Sequence, residues 1–332
     1  EALRSLFGTF FQRLVETIAE GRRMTPAQVR ALIDGGPYDA AAALEAGLID
    51  ALAHADELPE RLASAGRRRA VLRPAGSYLR RPRLRYHPLR PGRKVVVVEL
   101  RGTIVSGESS SGLFESIGDR TVRQSLERLR RSRRVAAVVL HLDSPGGGVE
   151  ASELIWRAVS RLAERKPVIA QMGNVAASGG YYLAAPCQAI VAQPTTVTGS
   201  IGVLAGKLSF GALLGRLHLG HHALRFGRRS GMFGYGAALD DEERTALRRL
   251  LEVSYERFLD RVAAGRGLPR EALQQVAEGR VWSGRDAQRC GLVDHLGGID
   301  DALALARDRG RRHPGERLSV VDHRWPRRLG RR

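Results

Sequence analysis

At 332 residues, 43% of them hydrophobic, the chain is long enough to bury a core in one large domain or in more than one, which excludes a disordered polymer. Its formal net charge of +19 comes almost wholly from arginine, because there are only three lysines, Lys94, Lys166 and Lys207. No RNP motif, zinc-finger spacing or helix-turn-helix signature accompanies that charge, which argues against sequence-specific nucleic-acid binding, and no apolar run of about 18 residues is present to cross a membrane.

Residues 1–33 carry a helical pattern, with Leu3, Leu6, Phe7, Phe10, Phe11, Leu14, Val15 and Ile18 at helix spacing. Gly21 stops that helix and Thr25-Pro26 opens another. Asp34-Gly-Gly-Pro-Tyr38, an alanine-rich helix to Ala46 and Gly47-Leu-Ile-Asp50 follow. Residues 66–93 combine an arginine run with Pro74, Pro82, Pro88 and Pro91, the composition of an extended basic linker. From Val95 the pattern changes to α/β. Val95–Val98 and Val135–Leu142 read as buried strands, Ala151–Leu162 as an amphipathic helix, and Val168–Gln171 as a strand. Ala176–Ala185 reads as a small-residue helix and Ala189–Ala192 as a strand leading to the stretch Thr195-Thr-Val-Thr-Gly-Ser-Ile-Gly-Val203. Helices are predicted over 240–263, 270–277, 285–289 and 300–307, and a basic tail over 311–332. Basic linkers and tails suit an acidic surface, lipid headgroups or RNA.

The order of the first fifty residues recurs. With Gly21 set on Gly265, an offset of 244, Arg22 meets Arg266, Gly35 meets Gly279, Tyr38 meets Trp282, and Gly47-Leu-Ile-Asp50 meets Gly291-Leu-Val-Asp294, without a gap. This predicts an internal repeat. Lys94, where the second copy starts, has its first-copy equivalent at position −150. Residues 1–65 are therefore expected to be the helical tail of a first copy whose opening ~150 residues precede this chain, and 94–310 a complete second copy. The absence of an initial methionine and of a signal peptide fits that expectation.

Three glycine-rich turns follow the apolar strands: Asp143-Ser-Pro-Gly-Gly-Gly148, Gly173-Asn-Val-Ala-Ala-Ser-Gly-Gly-Tyr-Tyr182 and the stretch around Ser200. Strand ends of this kind bind ligands in α/β folds. Gly146 and Gly147 precede a helix, so their N–H groups suit an anion or a developing oxyanion, or merely close a tight turn. Ser200, between Gly199 and Ile201-Gly202, reads as a nucleophile or as a plain turn serine. A P-loop is excluded, because no Gly-Lys-Ser/Thr follows these glycines. His218, His221 and His222 lack a Cys or acidic partner at ligand spacing and are expected on a loop and strand edge, so no metal is implied. Asp143 and Glu150 are expected to be solvated or capping, Tyr181 and Tyr182 to be core or interface residues, and Cys187 and Cys290 to be small apolar residues whose pairing is open.

Ser-Pro-Gly-Gly-Gly, Ala-Ala-Ser-Gly-Gly-Tyr-Tyr and Thr-Gly-Ser-Ile-Gly-Val, in this order, resemble the signal peptide peptidase A family of serine–lysine proteases, tandem two-domain type, whose crotonase-like fold is shared with the proteolytic subunit of Clp. The resemblance covers about 94–310, with the tail of a preceding copy at 1–65. It implies that Ser200 is the nucleophile, with Gly146, Gly147, Ser178 and Gly179 around the oxyanion and substrate. Ser178 stands where the Clp subunit keeps its nucleophile, but the nearest histidine after it, His218, is too far along to match. Single-domain members carry the base lysine downstream of the serine; the matching stretch here, Phe226-Gly-Arg-Arg-Ser-Gly231, has none, and arginine stays protonated. In the tandem type the lysine comes from the first copy. It is therefore expected upstream of residue 1, with Lys207 a surface residue opening the next helix.

The resemblance further implies a serine endopeptidase that degrades signal peptides or other apolar membrane-derived peptides, without a cofactor. It implies a homo-oligomer held at the bacterial inner membrane by an upstream segment, with the catalytic domain on the extracytoplasmic side. The alternatives are a non-catalytic envelope scaffold on the same fold and a crotonase-type acyl-CoA enzyme.

Overall fold

The computed structural model describes residues 2–63, 70, 92–110 and 115–323. Most of the linker expected over 66–93, and the end of the tail expected over 311–332, lie outside the described residues. In chain order the elements are α1 (Ala2–Arg22), α2 (Pro26–Gly35), α3 (Ala40–Glu45), α4 (Leu58–Arg61), β1 (Lys94–Arg101), β2 (Thr103–Val105), β3 (Ser116–Gly118), α5 (Asp119–Arg131), β4 (Val135–Ser144) and α6 (Val149–Ala163). They continue with β5 (Val168–Ala177), α7 (Gly179–Ala184), β6 (Ala189–Ala192), β7 (Val197–Gly199), α8 (Gly211–Arg216), α9 (Asp241–Arg266), α10 (Arg270–Val276), β8 (Val281–Ser283), α11 (Gly284–Arg289), β9 (His295–Leu296), α12 (Ile299–Gly310) and β10 (Ser319–Asp322). The α/β class expected from the sequence, with a largely parallel sheet flanked by helices, is the one observed. Contacts along the chain divide it into two units, residues 1–88 with 205–253 and residues 89–204 with 254–332.

The larger unit is built on a sheet of order β10-β1-β4-β5-β6-β9, extended by β7 on the far end of β5 and by β8 on β7. All of its pairings are parallel except β7 with β8. Continuous apolar strands serve such a sheet because both faces are covered. Val96, Val98, Leu100, Leu140 and Leu142 point to one face, against Val122 and Leu126 of α5 and Ile155 and Val159 of α6. Val95, Val139, Ile169 and Val191 point to the other, against Ala302 and Ala306 of α12. Each large aliphatic side chain so buried contributes about 1.5–3 kcal/mol. The part of the expected tail that is described is not tail-like: residues 319–322 pair in parallel with the start of β1.

The smaller unit holds the first four helices. Thr25 caps α2 by accepting from the Gln28 N–H, Gln28 answers on the Thr25 N–H, and Pro26 occupies the first turn, where a missing N–H costs nothing. Val15, Ala19 and Val29 form its small core. Phe226 stacks on Phe11 with centroids 5.3 Å apart. The Arg228 N–H donates to Asp34 Oδ1 at 2.7 Å, and Arg229 Nη1 donates to the carbonyls of Gly35 and Gly36 at 2.6 and 3.1 Å. Arginines thus anchor residues 226–231, the stretch that has no lysine.

Local geometry recurs at the offset of 244. Arg22 pairs with Asp50 at 2.6 Å and Arg266 with Asp294 at 2.5 Å. The Tyr38 hydroxyl donates to the Leu32 carbonyl, and Trp282 Nε1 donates to Val276, six residues back in each case. Asp39 and Ser283 each cap the helix that follows. The two segments differ in depth: Arg22 is 28% exposed and Arg266 only 7%.

Candidate active site

Two adjacent parallel strands are each followed by a serine. β5 runs to Ala177 and β7 to Gly199, and these two residues are register partners, so Ser178 and Ser200 leave the sheet side by side. The Ser178 N–H donates to the Gly199 carbonyl at 2.9 Å, and the Ser200 N–H to the Arg280 carbonyl at 2.8 Å. Both serines have positive φ, 51° and 48°. For Ser178 the ψ of −119° lies outside the left-handed helical well too, in a region comfortable only for glycine. The sequence put a helix over 176–185 and read Ser178 as a helix-start group or one beside the nucleophile; β5 continues to Ala177, and Ser178 takes the N-cap position of a helix that begins at Gly179, without a side-chain capping bond. β5 is held longer because its outer edge pairs with β7.

Packing fixes the short helix behind these serines. Tyr181 is fully buried and its hydroxyl donates to the Leu292 carbonyl at 2.8 Å. Tyr182 donates to Glu153, which Arg261 also holds at 2.9 Å, and its ring lies 4.7 Å from that of Phe258. Burial, reinforced by the Glu153 carboxylate, holds the Tyr182 phenol protonated well above its ordinary range. Both tyrosines are core residues, as expected.

The Ser-Pro-Gly-Gly-Gly turn closes the site. A side chain on Gly146 would begin 2.9 Å from Ser178 Cβ and 2.8 Å from the Gly179 N, so this turn packs directly on the start of α7. Gly147 passes so close to Ile104 that a Cβ would sit 2.1 Å from the Ile104 carbonyl oxygen. The structure therefore brings Gly146, Ser178 and Gly179 into one contact, with Ser200 beside them. The two turn N–H groups are not alike. That of Gly146 donates to Ser144 Oγ at 3.2 Å, whereas that of Gly147 has no acceptor among the described residues. Helix α6 starts at Val149 with Gly148 at its N-cap, so Gly146 and Gly147 precede the helix and lie just outside its cap.

The remaining candidates separate from this group. Asp143 does not cap a helix and is half-buried: its Oδ1 accepts from the Val175 N–H at 3.2 Å, tying β4 to β5, and its Oδ2 lies 3.8 Å from Arg101. Glu150 is exposed on the first turn of α6. His218, His221 and His222 lie on a loop without a strand, and no metal-binding group of three exists among the described residues. Cys187 is buried and Cys290 half-buried, both as free thiols. Lys207 does not open a helix, since α8 starts at Gly211; its Nζ donates to the Gly231 carbonyl at 3.4 Å. Lys94 and Lys166 stand at the starts of β1 and β5, the opposite end of the sheet from the serines. The Arg280 carbonyl was missed from the sequence, because a backbone acceptor leaves no trace in residue type.

The peptidase family S49 model matches residues 1–67 and 160–311. The chain is 31% identical over 332 residues to the chloroplastic serine protease SPPA of Arabidopsis thaliana, covering 97% of this chain and 48% of that protein. It is 32% identical over 318 residues to Protease 4 of Salmonella typhi, covering 92% and 50%. The chain thus spans about half the length of these relatives. Among solved structures it is similar to a mutant of ClpP1 from Listeria monocytogenes, at 16% identity and a TM-score of 0.41, covering 62% of this chain and 94% of that one.

Proposed function

The chain belongs to peptidase family S49, and on that premise we propose that it carries the nucleophile-bearing half of a serine–lysine endopeptidase. The observation that carries the reading is the placement of Ser200: half-buried, at positive φ, at the end of β7, beside the Gly146 turn and the start of α7. In the proposed reaction Ser200 Oγ attacks the scissile carbonyl carbon and its proton passes to a neutral lysine amine. The tetrahedral oxyanion is held by the Gly147 N–H, with Gly146, Ser178 and Gly179 shaping the pocket. Collapse expels the amine product, which takes the proton from the lysine, and water then hydrolyses the acyl-serine. The lysine belongs to the preceding copy. Supporting this, Lys94 and Lys166 lie at the wrong end of the sheet, Lys166 is bonded to the Ser132 and Val135 carbonyls, and Lys207 is bonded to Gly231.

The substrates we propose are apolar stretches of signal peptides or other membrane-derived peptides. Val197 and Val281, on the strand pair that ends at Ser200, are 43% and 58% exposed and offer apolar surface there. We also propose a homo-oligomer attached to the bacterial inner membrane through an upstream segment, with the serines on its extracytoplasmic side. No helix among the described residues is long and apolar enough to cross a membrane. Exposed Leu208 and Phe233, at 77% and 75%, are surface suited to a second subunit. The test is labelling of the full-length protein with a fluorophosphonate probe. Labelling at Ser200, lost in Ser200→Ala together with peptide hydrolysis, supports the proposal. An unlabelled Ser200 in a folded, lysine-containing protein supports the scaffold reading instead.

A further inference from the structure

At the far end of the same sheet lies a cavity of about 530 Å³ whose charged lining is entirely cationic. The residues that lead into β1, β4 and β5 contribute Arg93, Arg133, Arg165 and Lys166. The end of α12 contributes Arg309, Arg311 and Arg312. These positions are separated by up to 219 residues, and only the parallel sheet collects them: parallel strands begin on one rim, and α12 returns to that rim at its C-terminus.

Compensation inside the chain falls short. Glu316 pairs with Arg93 at 3.0 Å. Lys166 Nζ donates to the carbonyls of Ser132 and Val135 at 2.5 and 2.8 Å, and Arg309 to that of Gln188 at 2.9 Å. Arg133, Arg165, Arg311 and Arg312 have no ion pair among the described residues. Three helices, α5, α6 and α12, end at this rim, and each C-terminus supplies about half a negative charge. Seven cations against Glu316 and about one and a half charges of helix dipole leave between about four and five positive charges unbalanced. Outside the described residues the sequence offers one acid, Glu1: residues 64–69, 71–91, 111–114 and 324–332 contain no Asp or Glu. Crowding is already felt by Lys166, whose ammonium is pushed below its ordinary range by burial and by Arg93.

We propose that this cavity is a binding site for a phosphate-bearing anion. Its volume is that of a small-molecule site, and its forked guanidiniums suit the paired oxygens of a phosphate or pyrophosphate group. That chemistry is shared by a soluble phosphorylated molecule and by the headgroup of an anionic lipid. The site is separate from the serines and does not depend on the peptidase reading.

The test is calorimetric titration of the chain with inorganic pyrophosphate, beside co-flotation with phosphatidylglycerol vesicles and with phosphatidylcholine vesicles. The variant R133Q/R312Q removes two exposed cations of the cavity; R248Q/R249Q removes two exposed cations from α9 and keeps the net charge equal. Saturable pyrophosphate binding at one site per chain, weakened at least tenfold in R133Q/R312Q and less than twofold in R248Q/R249Q, supports the proposal. If phosphatidylglycerol vesicles also retain the chain, and pyrophosphate competes, the source is a lipid headgroup; saturation by pyrophosphate without flotation identifies a soluble ligand. Absence of saturable binding, or equal weakening in the two variants, overturns it. Circular dichroism confirms that each variant is folded before it is scored.

Discussion

The Ser178 N–H donates to the carbonyl of Gly199, so the residue preceding Ser200 is tied to the serine that starts α7. One strand end therefore positions the other, and a shift in either turn moves both hydroxyls. Ser178 carries this role at φ 51° and ψ −119°, a conformation that costs a non-glycine residue about 1–3 kcal/mol. Ser178→Gly is expected to raise the unfolding temperature by a few degrees, and peptide hydrolysis in the lysine-containing protein should stay within tenfold. A fall in the melting temperature by calorimetry would show that the Ser178 side chain contributes more than its backbone strain costs.

Gly147→Ala should do the reverse. Its Cβ would begin 2.1 Å from the Ile104 oxygen and 2.6 Å from the Ile104 nitrogen, and neither atom is the movable end of a side chain. We expect a loss of about 2 kcal/mol or more in denaturant unfolding. Gly21→Ala serves as the control: nothing lies within 4 Å of its Cβ position, so in helix α1 it should be neutral or stabilising by up to about 1 kcal/mol.

The repeated ion pairs should differ in strength. Asp294 meets Arg266, which is 7% exposed, and its second oxygen accepts from the Ile190 N–H at 2.7 Å. Asp294→Ala strands a buried guanidinium and the Ile190 N–H of β6, for an expected loss of about 3 kcal/mol. Asp50 is 88% exposed opposite Arg22, so Asp50→Ala should cost less than about 1 kcal/mol. Equal losses by urea titration would refute the claim that depth sets the difference.

Glu127 gives a pH signature. Burial raises its pKa, but hydrogen bonds and charge from Arg130 and Arg131 outweigh burial and hold it at about 2. A folded pKa below the unfolded one contributes stability at pH values above the ordinary carboxylate range. That contribution is lost as pH falls through the folded value. Glu127→Gln should therefore unfold at lower temperature than the parent at pH 7, with the gap closing between about pH 4.5 and pH 2. Part of the effect is screened, because the Glu127 side chain is 34% exposed. A gap that persists unchanged at pH 2 would mean that packing, not charge, is lost.

The sequence carried the elements whose signals are local. The apolar runs of β1, β4 and β6 and the helix over 149–163 are legible because burial on both faces leaves no polar interruption. The paired turns around Gly146, Ser178 and Ser200 are legible because glycines cluster where backbones approach closely. What was not legible depends on distant partners. β10 reads as part of a basic tail, and only its pairing with β1 makes it a strand. Helix α5 hides among charges that face solvent on one side. The cationic rim is invisible in a chain where arginine is common everywhere, since its members meet only after the sheet has formed.

Strand β5 sets a ruler between the two ends. Arg165 to Pro167 precede it and Ser178 follows it, and ten extended residues span about 30 Å. Fastened by its arginines to a phosphate-coated bead or bilayer, this sheet would hold both hydroxyls at its far rim, a strand's length from the support.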